Sequence, residues 1–379
     1  MTTSPQLFSP EELRENEHVR QGLINLLASG EGMFMAGAGC TATLFPPWAA
    51  FLGRLYTEAK EKDPEIPDFV SSGDDYLTYA DRLKMALGKE DYYRLIYANF
   101  RSRGKGHERV HETICRFLHY KKVKAIITTN YDQVLESALN VVSENRAESV
   151  WIEDNIEKAM IFEFLLSLND DQTARRIFHF HGICHQKDSI ILSRSEYESK
   201  YGFRLQTPPG SIYDTIKDGG ISQEQFTELM KDFAIEWTIH RKLLWSFFAT
   251  RRLIFLGFSL DDPYFNKMLE FVKTDLHPHG YSIHYLILRV VTEADKTRAK
   301  DRSKYLKKNF GIETILYQEN ETNTGFENFI ADLENAVIPG PPDRKIAGEE
   351  EKLEEKDEEK LDDGDEEVTK MLIEKNRRK

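Results

Sequence analysis

The sequence predicts a doubly wound α/β fold: a mostly parallel sheet with helices on both faces and an inserted helical subdomain. Two observations carry this. Short apolar runs recur along the chain with helical stretches between most of them, and such alternation gives a parallel sheet covered on both sides. Several runs also end on glycine, hydroxyl or amide residues, as do the turns at the carboxyl ends of strands in an open sheet, where ligands collect. With 40% hydrophobic and 30% charged residues, the 379-residue chain has the apolar content for one large domain or two smaller ones.

The elements follow in order. Ser9 to Ser29 opens with Ser-Pro-Glu-Glu, an N-cap, a first-turn proline and acids beside the helix dipole, then runs amphipathic through Val19, Leu23 and Leu26. A helix is expected there, in an N-terminal segment 1–32 that Gly30-Glu31-Gly32 brings to an end. Met33 to Ala36 is a buried strand that ends on glycines, opening a ligand-binding domain at 33–338. Helical periodicity dominates from Trp48 to Lys121, with turn signals at Asp63-Pro64 and Ser71 to Asp74, so a helical insertion is placed at about 49–121. Strands are expected at Val123 to Ile127, Ile177 to Phe180, Leu253 to Leu256, His284 to Leu288 and Thr314 to Tyr317, with a closing helix around Phe326 to Val337. After Pro339-Gly340-Pro341-Pro342 a charged tail, 339–379, begins, and residues 349–367 hold thirteen acids against three lysines. That run reads as a solvated helix or disordered tail, or as a contact arm for a basic partner.

Bulk properties exclude several classes. A net charge of -13 and a pI near 5.4 argue against a broad nucleic-acid-binding face, which needs clustered cations. Cys40, Cys115 and Cys184 lie far apart with no CxxC pair, so neither a disulfide framework nor a cysteine-built zinc site is supported, and a cytoplasmic location fits. The acidic N-terminus has no leader pattern, and no apolar run approaches membrane-spanning length.

Four strand-end motifs carry the chemistry. Gly37-Ala38-Gly39-Cys40-Thr41 follows the first strand, where a Rossmann-like sheet lets backbone N–H groups approach a pyrophosphate; alone it is equally a tight strand-to-helix turn. Thr128-Thr129-Asn130-Tyr131-Asp132 places an amide and a carboxylate at a strand end, with an N-cap for a helix from Gln133 as the plainer role of Asp132. In Phe178-His179-Phe180-His181-Gly182, alternation puts both histidines on one face, and a histidine beside a glycine at a strand end suits a general base. Gly257-Phe258-Ser259-Leu260-Asp261-Asp262-Pro263 is a further turn, suited to ribose and phosphate. Two patterns point elsewhere. His107-Glu108-Arg109-Val110-His111 matches HExxH, which on a helix aims two imidazoles at zinc, although Ile114 and Leu118 favour a packed His111. His179, His181 and His185 can likewise be read as a metal cluster.

Together GAGCT, TTNYD, FHFHG and GFSLDDP, in this order from Met33 to Val337, resemble the sirtuin-like family, and its bacterial NAD-consuming branch more than the protein deacetylases. The resemblance implies NAD+ as substrate. Gly37, Ala38, Gly39 and Thr41 would meet its phosphate or ribose, and Trp48 follows Pro47 as in the NAD-consuming branch. Asn130 would hold the nicotinamide ribose or attacking water, Asp132 the carboxamide, and Gly257 and Ser259 the adenosine side, with His181 as base. The paired CxxC zinc ribbon of the deacetylases is missing, and Phe45-Pro46-Pro47-Trp48 replaces their Pro-Asp-Phe-Arg element. Water is thereby favoured over acyl-lysine and no zinc is expected; an NAD-dependent deacylase and an NAD sensor without turnover are the rival readings. An unrestrained NAD hydrolase would deplete its own cell. The resemblance accordingly implies a regulated effector of antiphage defence, with restraint through homo-oligomer assembly or a partner such as a HerA-type ATPase, for which the N-terminal helix and the acidic tail are candidate contacts.

Overall fold

The computed structural model describes residues 7–68, 76–102, 105–143, 148–152, 158–169, 176–205, 237–276, 284–319 and 324–338. The acidic tail and the predicted turn at Ser71 to Asp74 lie outside them. The first helix, α1 (Pro10–Ser29), starts where its capping box dictates. Ser9 caps the backbone N–H of Glu12 while Glu12 returns to the N–H of Ser9, and Gly30 closes the helix in the left-handed region at φ 71°.

Among the described residues seven strands follow: β1 (Gly32–Ala36), β2 (Val123–Thr128), β3 (Glu148–Trp151), β4 (Arg176–His179), β5 (Arg252–Leu256), β6 (His284–Val290) and β7 (Ile312–Gln318). They form one sheet in the order β3-β4-β2-β1-β5-β6-β7, with every neighbouring pair parallel. This is the doubly wound α/β sheet that the apolar runs predict, with one strand, β3, that they do not. From β1 the chain moves to β2, skips to β3 at the edge and returns to β4 between them, then crosses to β5 and steps outward through β6 to β7. Because all strands point the same way, the loops after β1, β2, β4 and β5 share one edge, at the reversal of strand order where such sheets bind ligands.

Alternation along the central strands divides the interior into two cores. Met33, Met35, Ile127, Phe178, Leu253 and Phe255 face one side, with Phe247, Phe248 and Phe265 from α9 (Ile239–Thr250) and α10 (Pro263–Leu276). Phe34, Ala36, Ile126, Ile177, Ile254 and Leu256 face the other, against α1, α5 (Arg109–His119), α6 (Val134–Ser143) and α12 (Gly325–Val337). A third core joins α2 (Trp48–Lys62), α3 (Tyr76–Leu87) and α4 (Lys89–Phe100). These three form the helical insertion. Although α5 falls in the same helix-rich stretch, its buried face (Val110, Ile114, Phe117 and Leu118) packs on the sheet. The remaining α-helices among the described residues are α7 (Lys158–Ser167), α8 (Arg194–Tyr201) and α11 (Glu293–Phe310).

The edge strand β7 is answered by a side chain. Asn16 of α1 donates to the carbonyl of Leu316 and accepts from its N–H, both at 2.8 Å, so one amide acts as a partial strand partner at an edge that is otherwise open to unwanted pairing. Glu12 binds Lys296 and Lys300 of α11, fastening the same helix. No helix among the described residues is long and apolar enough to cross a membrane.

Candidate active site

Two glycine turns cross beneath the site. Gly39 N–H donates to the carbonyl of Gly257 at 2.9 Å. A Cβ on Gly39 would stand 2.7 Å from the Gly257 Cα, and one on Gly257, at φ +58°, would stand 2.4 Å from the Cys40 nitrogen. Neither position admits a side chain, and this is the physical reason for both motifs. Cys40 is buried with its Sγ on the Leu256 carbonyl, and burial pushes the thiol up to about 12, so it is no nucleophile. His111 anchors the turn from behind. Its Nδ1 accepts from the Glu108 N–H, so Nε2 carries the proton that it donates to the Cys40 carbonyl at 2.8 Å. Both ring nitrogens are committed, and the helix begins at Arg109, so His107 and His111 do not sit one turn apart on it. The HExxH pattern is therefore a capping arrangement.

Thr41 joins this turn to the next. Asn130 donates its amide hydrogens to the Gly37 carbonyl at 3.1 Å and Thr41 Oγ1 at 3.2 Å; Thr41 in turn faces Asp132 Oδ2 at 3.4 Å. With both amide hydrogens used by the protein, Asn130 offers a ligand its acceptor oxygen. Asp132 divides its roles: Oδ1 accepts from the Val134 N–H, the capping role, and the residue also lines the cavity. Burial raises its carboxyl to about 6.

The two histidines of FHFHG part company, because β4 ends at His179 and alternation stops with it. His179 is fully buried toward α6, with Nδ1 donating to the Asn130 carbonyl at 2.9 Å and Nε2 at 2.6 Å from Glu136. Burial opposes charge on both partners, yet the pairing wins: the histidine is held above its ordinary value and the carboxylate below. His181 turns to α8, where Nε2 lies 2.9 Å from the Tyr201 hydroxyl and Nδ1 3.5 Å from that of Tyr197. Burial pushes His181 down to about 3, so the imidazole is neutral. Gly182 makes the turn at φ +85°, where a Cβ would meet the Ser189 carbonyl oxygen at 2.2 Å. His185 stands apart, its ring edge-on to Trp151. Among the described residues no group of three His, Cys, Asp or Glu side chains is placed to hold a metal.

A cavity of about 570 Å³ opens where these turns meet. Gly37, Ala38, Thr41, Trp48, Asn130, Asp132, His181, Gly257 and Ser259 all line it, whereas Gly39 lies in the crossing below. Phe45, Trp48 and Phe100 bring aromatic rings from the helical insertion and the turn leading into it. Tyr197, Tyr201 and Glu136 are site residues that the sequence motifs do not reveal. Tyr197 and Tyr201 are four apart in SEYESKY, which marks one helix face but not what that face meets.

Residues 124–315, just over half of the chain, match the SIR2-like domain family. The chain belongs to that family. The SIR2-like match includes Asn130, Asp132, His181, Gly257 and Ser259; the GAGCT turn lies outside it and is brought in by β1. A solved structure described as "Structural Basis for the Mechanism and Regulation of Sir2 Enzymes" is similar at 12% identity and a TM-score of 0.35, covering 84% of this chain and 97% of the other. No curated protein matches this SIR2-like chain.

Proposed function

We propose that this chain binds NAD+ and hydrolyses it to nicotinamide and ADP-ribose. The observation that carries the reading is the convergence of an acceptor amide (Asn130), a buried carboxylate (Asp132) and a neutral imidazole (His181) on one cavity floored by crossed glycine turns. Among the described residues, the charged side chains on its wall are Asp132, Asp261 and Asp262. A wall of that sign suits the cation-like ribose that forms as the glycosidic bond opens. It leaves the diphosphate to backbone N–H groups of the glycine turn, which glycine lets a ligand approach closely.

In this mechanism Asp132 accepts from the nicotinamide carboxamide and orients the leaving group. The bonding pair of the glycosidic bond passes to the pyridine nitrogen and neutralises its charge. Asn130 Oδ1 holds the attacking water, the water oxygen bonds to the ribose carbon, and His181 takes the released proton. Aromatic residues of the insertion and the turn before it wall the cavity, which favours water over a protein substrate. We extend the proposal to restraint by self-assembly or by a partner of the HerA-type ATPase kind, in an antiphage role.

The test is nicotinamide release by the purified protein over a range of concentrations, beside Asn130→Ala and His181→Ala. Loss of a general base costs roughly 100- to 10,000-fold, and a fall of that order is expected for His181→Ala. An active wild type with an undiminished His181→Ala variant would refute the assignment. Release that requires an acylated lysine peptide would move the reading to a deacylase, and NAD+ binding in calorimetry without release would move it to a sensor.

A further inference from the structure

We propose that Asp262, acting through the phenol of Tyr197, fixes the tautomer of His181 with its proton on Nδ1, leaving Nε2 as the basic atom. The catalytic consequence rests on the hydrolase reading, whereas the tautomer itself does not. The protons can be placed one by one. Asp262 Oδ1 accepts from the N–H groups of Tyr264 (2.8 Å) and Phe265 (3.1 Å) at the start of α10, and Oδ2 lies 2.7 Å from the Tyr197 hydroxyl. A carboxylate holding two backbone donors is an acceptor, so the single Tyr197 proton goes to Asp262 rather than across the longer 3.5 Å gap to His181 Nδ1. Tyr197 then presents lone pairs to that nitrogen. A bare Nδ1 would oppose lone pair to lone pair; a protonated Nδ1 donates. The remaining nitrogen, Nε2, is bare and accepts the Tyr201 proton at 2.9 Å. In this arrangement every hydrogen has an acceptor. In the opposite tautomer the buried Tyr201 hydroxyl, already used as an acceptor, keeps a proton with no acceptor for it among the described residues.

Tyr197 and Asp262 are positioning residues on this account. With a proton on Nε2 as well, Nδ1–H faces an oxygen backed by a carboxylate, as in a Ser-His-Asp triad but with a phenol interposed. There, Asp→Asn installs the wrong tautomer and lowers kcat about 10⁴-fold; across the interposed phenol and the 3.5 Å contact we expect about 10²-fold for Asp262→Asn, with KM within about threefold. The asparagine keeps Oδ1 for the α10 N–H groups, and asparagine caps helices as well as aspartate.

The experiment is imidazole ¹⁵N NMR of the whole protein without substrate, with His181 assigned among the eleven histidines by comparison with His181→Gln. Wild type should show a protonated Nδ1 and a bare Nε2. Asp262→Asn, whose amide donates to Tyr197 and turns its hydroxyl toward Nδ1, should invert this. In a Tyr197→Phe background, Asp262→Asn should change the tautomer no further. A wild-type Nε2–H signal, an unchanged spectrum in Asp262→Asn, or a further tautomer change when Asp262→Asn is added to Tyr197→Phe would each overturn the proposal. If Asp262→Asn does not fold, Tyr197→Phe decides: a mixed tautomer supports the relay and an unchanged one refutes it. If the wild type releases no nicotinamide the hydrolase reading fails, and the spectrum still decides the tautomer.

Discussion

Consider the Glu136–His179 pair, whose side chains are 7% and 1% exposed. His179 holds the Asn130 carbonyl, and Glu136 Oε1 also receives the Ser149 hydroxyl at 2.6 Å. Glu136→Ala removes the anion from a buried cation and strands that hydroxyl, a loss of about 3–5 kcal/mol. At about 2.1 cal/mol/K per residue over roughly 300 ordered residues, this lowers Tm by about 5–8 °C. Glu136→Gln separates charge from shape. A neutral His179 keeps its Nδ1–H for Asn130, and the glutamine amide donates to Nε2, so nicotinamide release should stay within a few-fold of wild type while stability acquires a pH signature. The raised histidine stabilises fully below its ordinary 6.5 and loses that contribution as pH climbs through its higher folded value. The lowered glutamate stabilises fully above 4.5 and loses its contribution as pH falls through its folded value. The melting-temperature gap between wild type and Glu136→Gln should therefore be widest between these two values and narrow toward alkaline pH. A gap flat from pH 5 to 9 would refute an ion pair at this position.

Two further predictions follow from the site. With Asp132 raised to about 6, the KM for NAD+ should climb as pH drops below that value, because the protonated acid no longer accepts fully from the carboxamide; Asp132→Asn should abolish the dependence while weakening binding at pH 8. Gly257→Ala combines a left-handed backbone, worth about 1–2 kcal/mol, with a clash on the Cys40 and Gly39 backbone; it should lower Tm and cut nicotinamide release at least about tenfold. Gly53→Ala is its control, since a Cβ there meets nothing within 4 Å in the middle of α2, and it should raise stability by about 0.5–1 kcal/mol with activity unchanged.

The parts of the fold that are legible in the sequence are those buried on both faces. β1, β2 and β5 are mostly apolar along their length. β3 is silent because its four residues, Glu148 to Trp151, mix charge with apolar side chains at the sheet edge. The glycine turns are legible for a steric reason, and the crossing of Gly39 under Gly257 supplies it. FHFHG is half legible. Two-residue alternation misplaces His181 because it holds only while the strand lasts, and β4 ends two residues earlier. Tyr197 cannot be found from sequence at all, since its partner Asp262 lies 65 residues on and nothing local couples a helix face to a distant strand end.

Glu196 ties the helical insertion to the neighbourhood of His181. It occupies the N3 position of α8, capping Ser193, and also grips Lys84 of α3 and the Tyr93 hydroxyl of α4. The next residue is Tyr197, against His181. The helices that look like a detachable ornament on an α/β sheet thus reach the imidazole through a single peptide link. A minimal version trimmed to the sheet and its two flanking layers would discard the clamp that sets α8, and anything that tugs on α3 or α4 has a short mechanical path to His181.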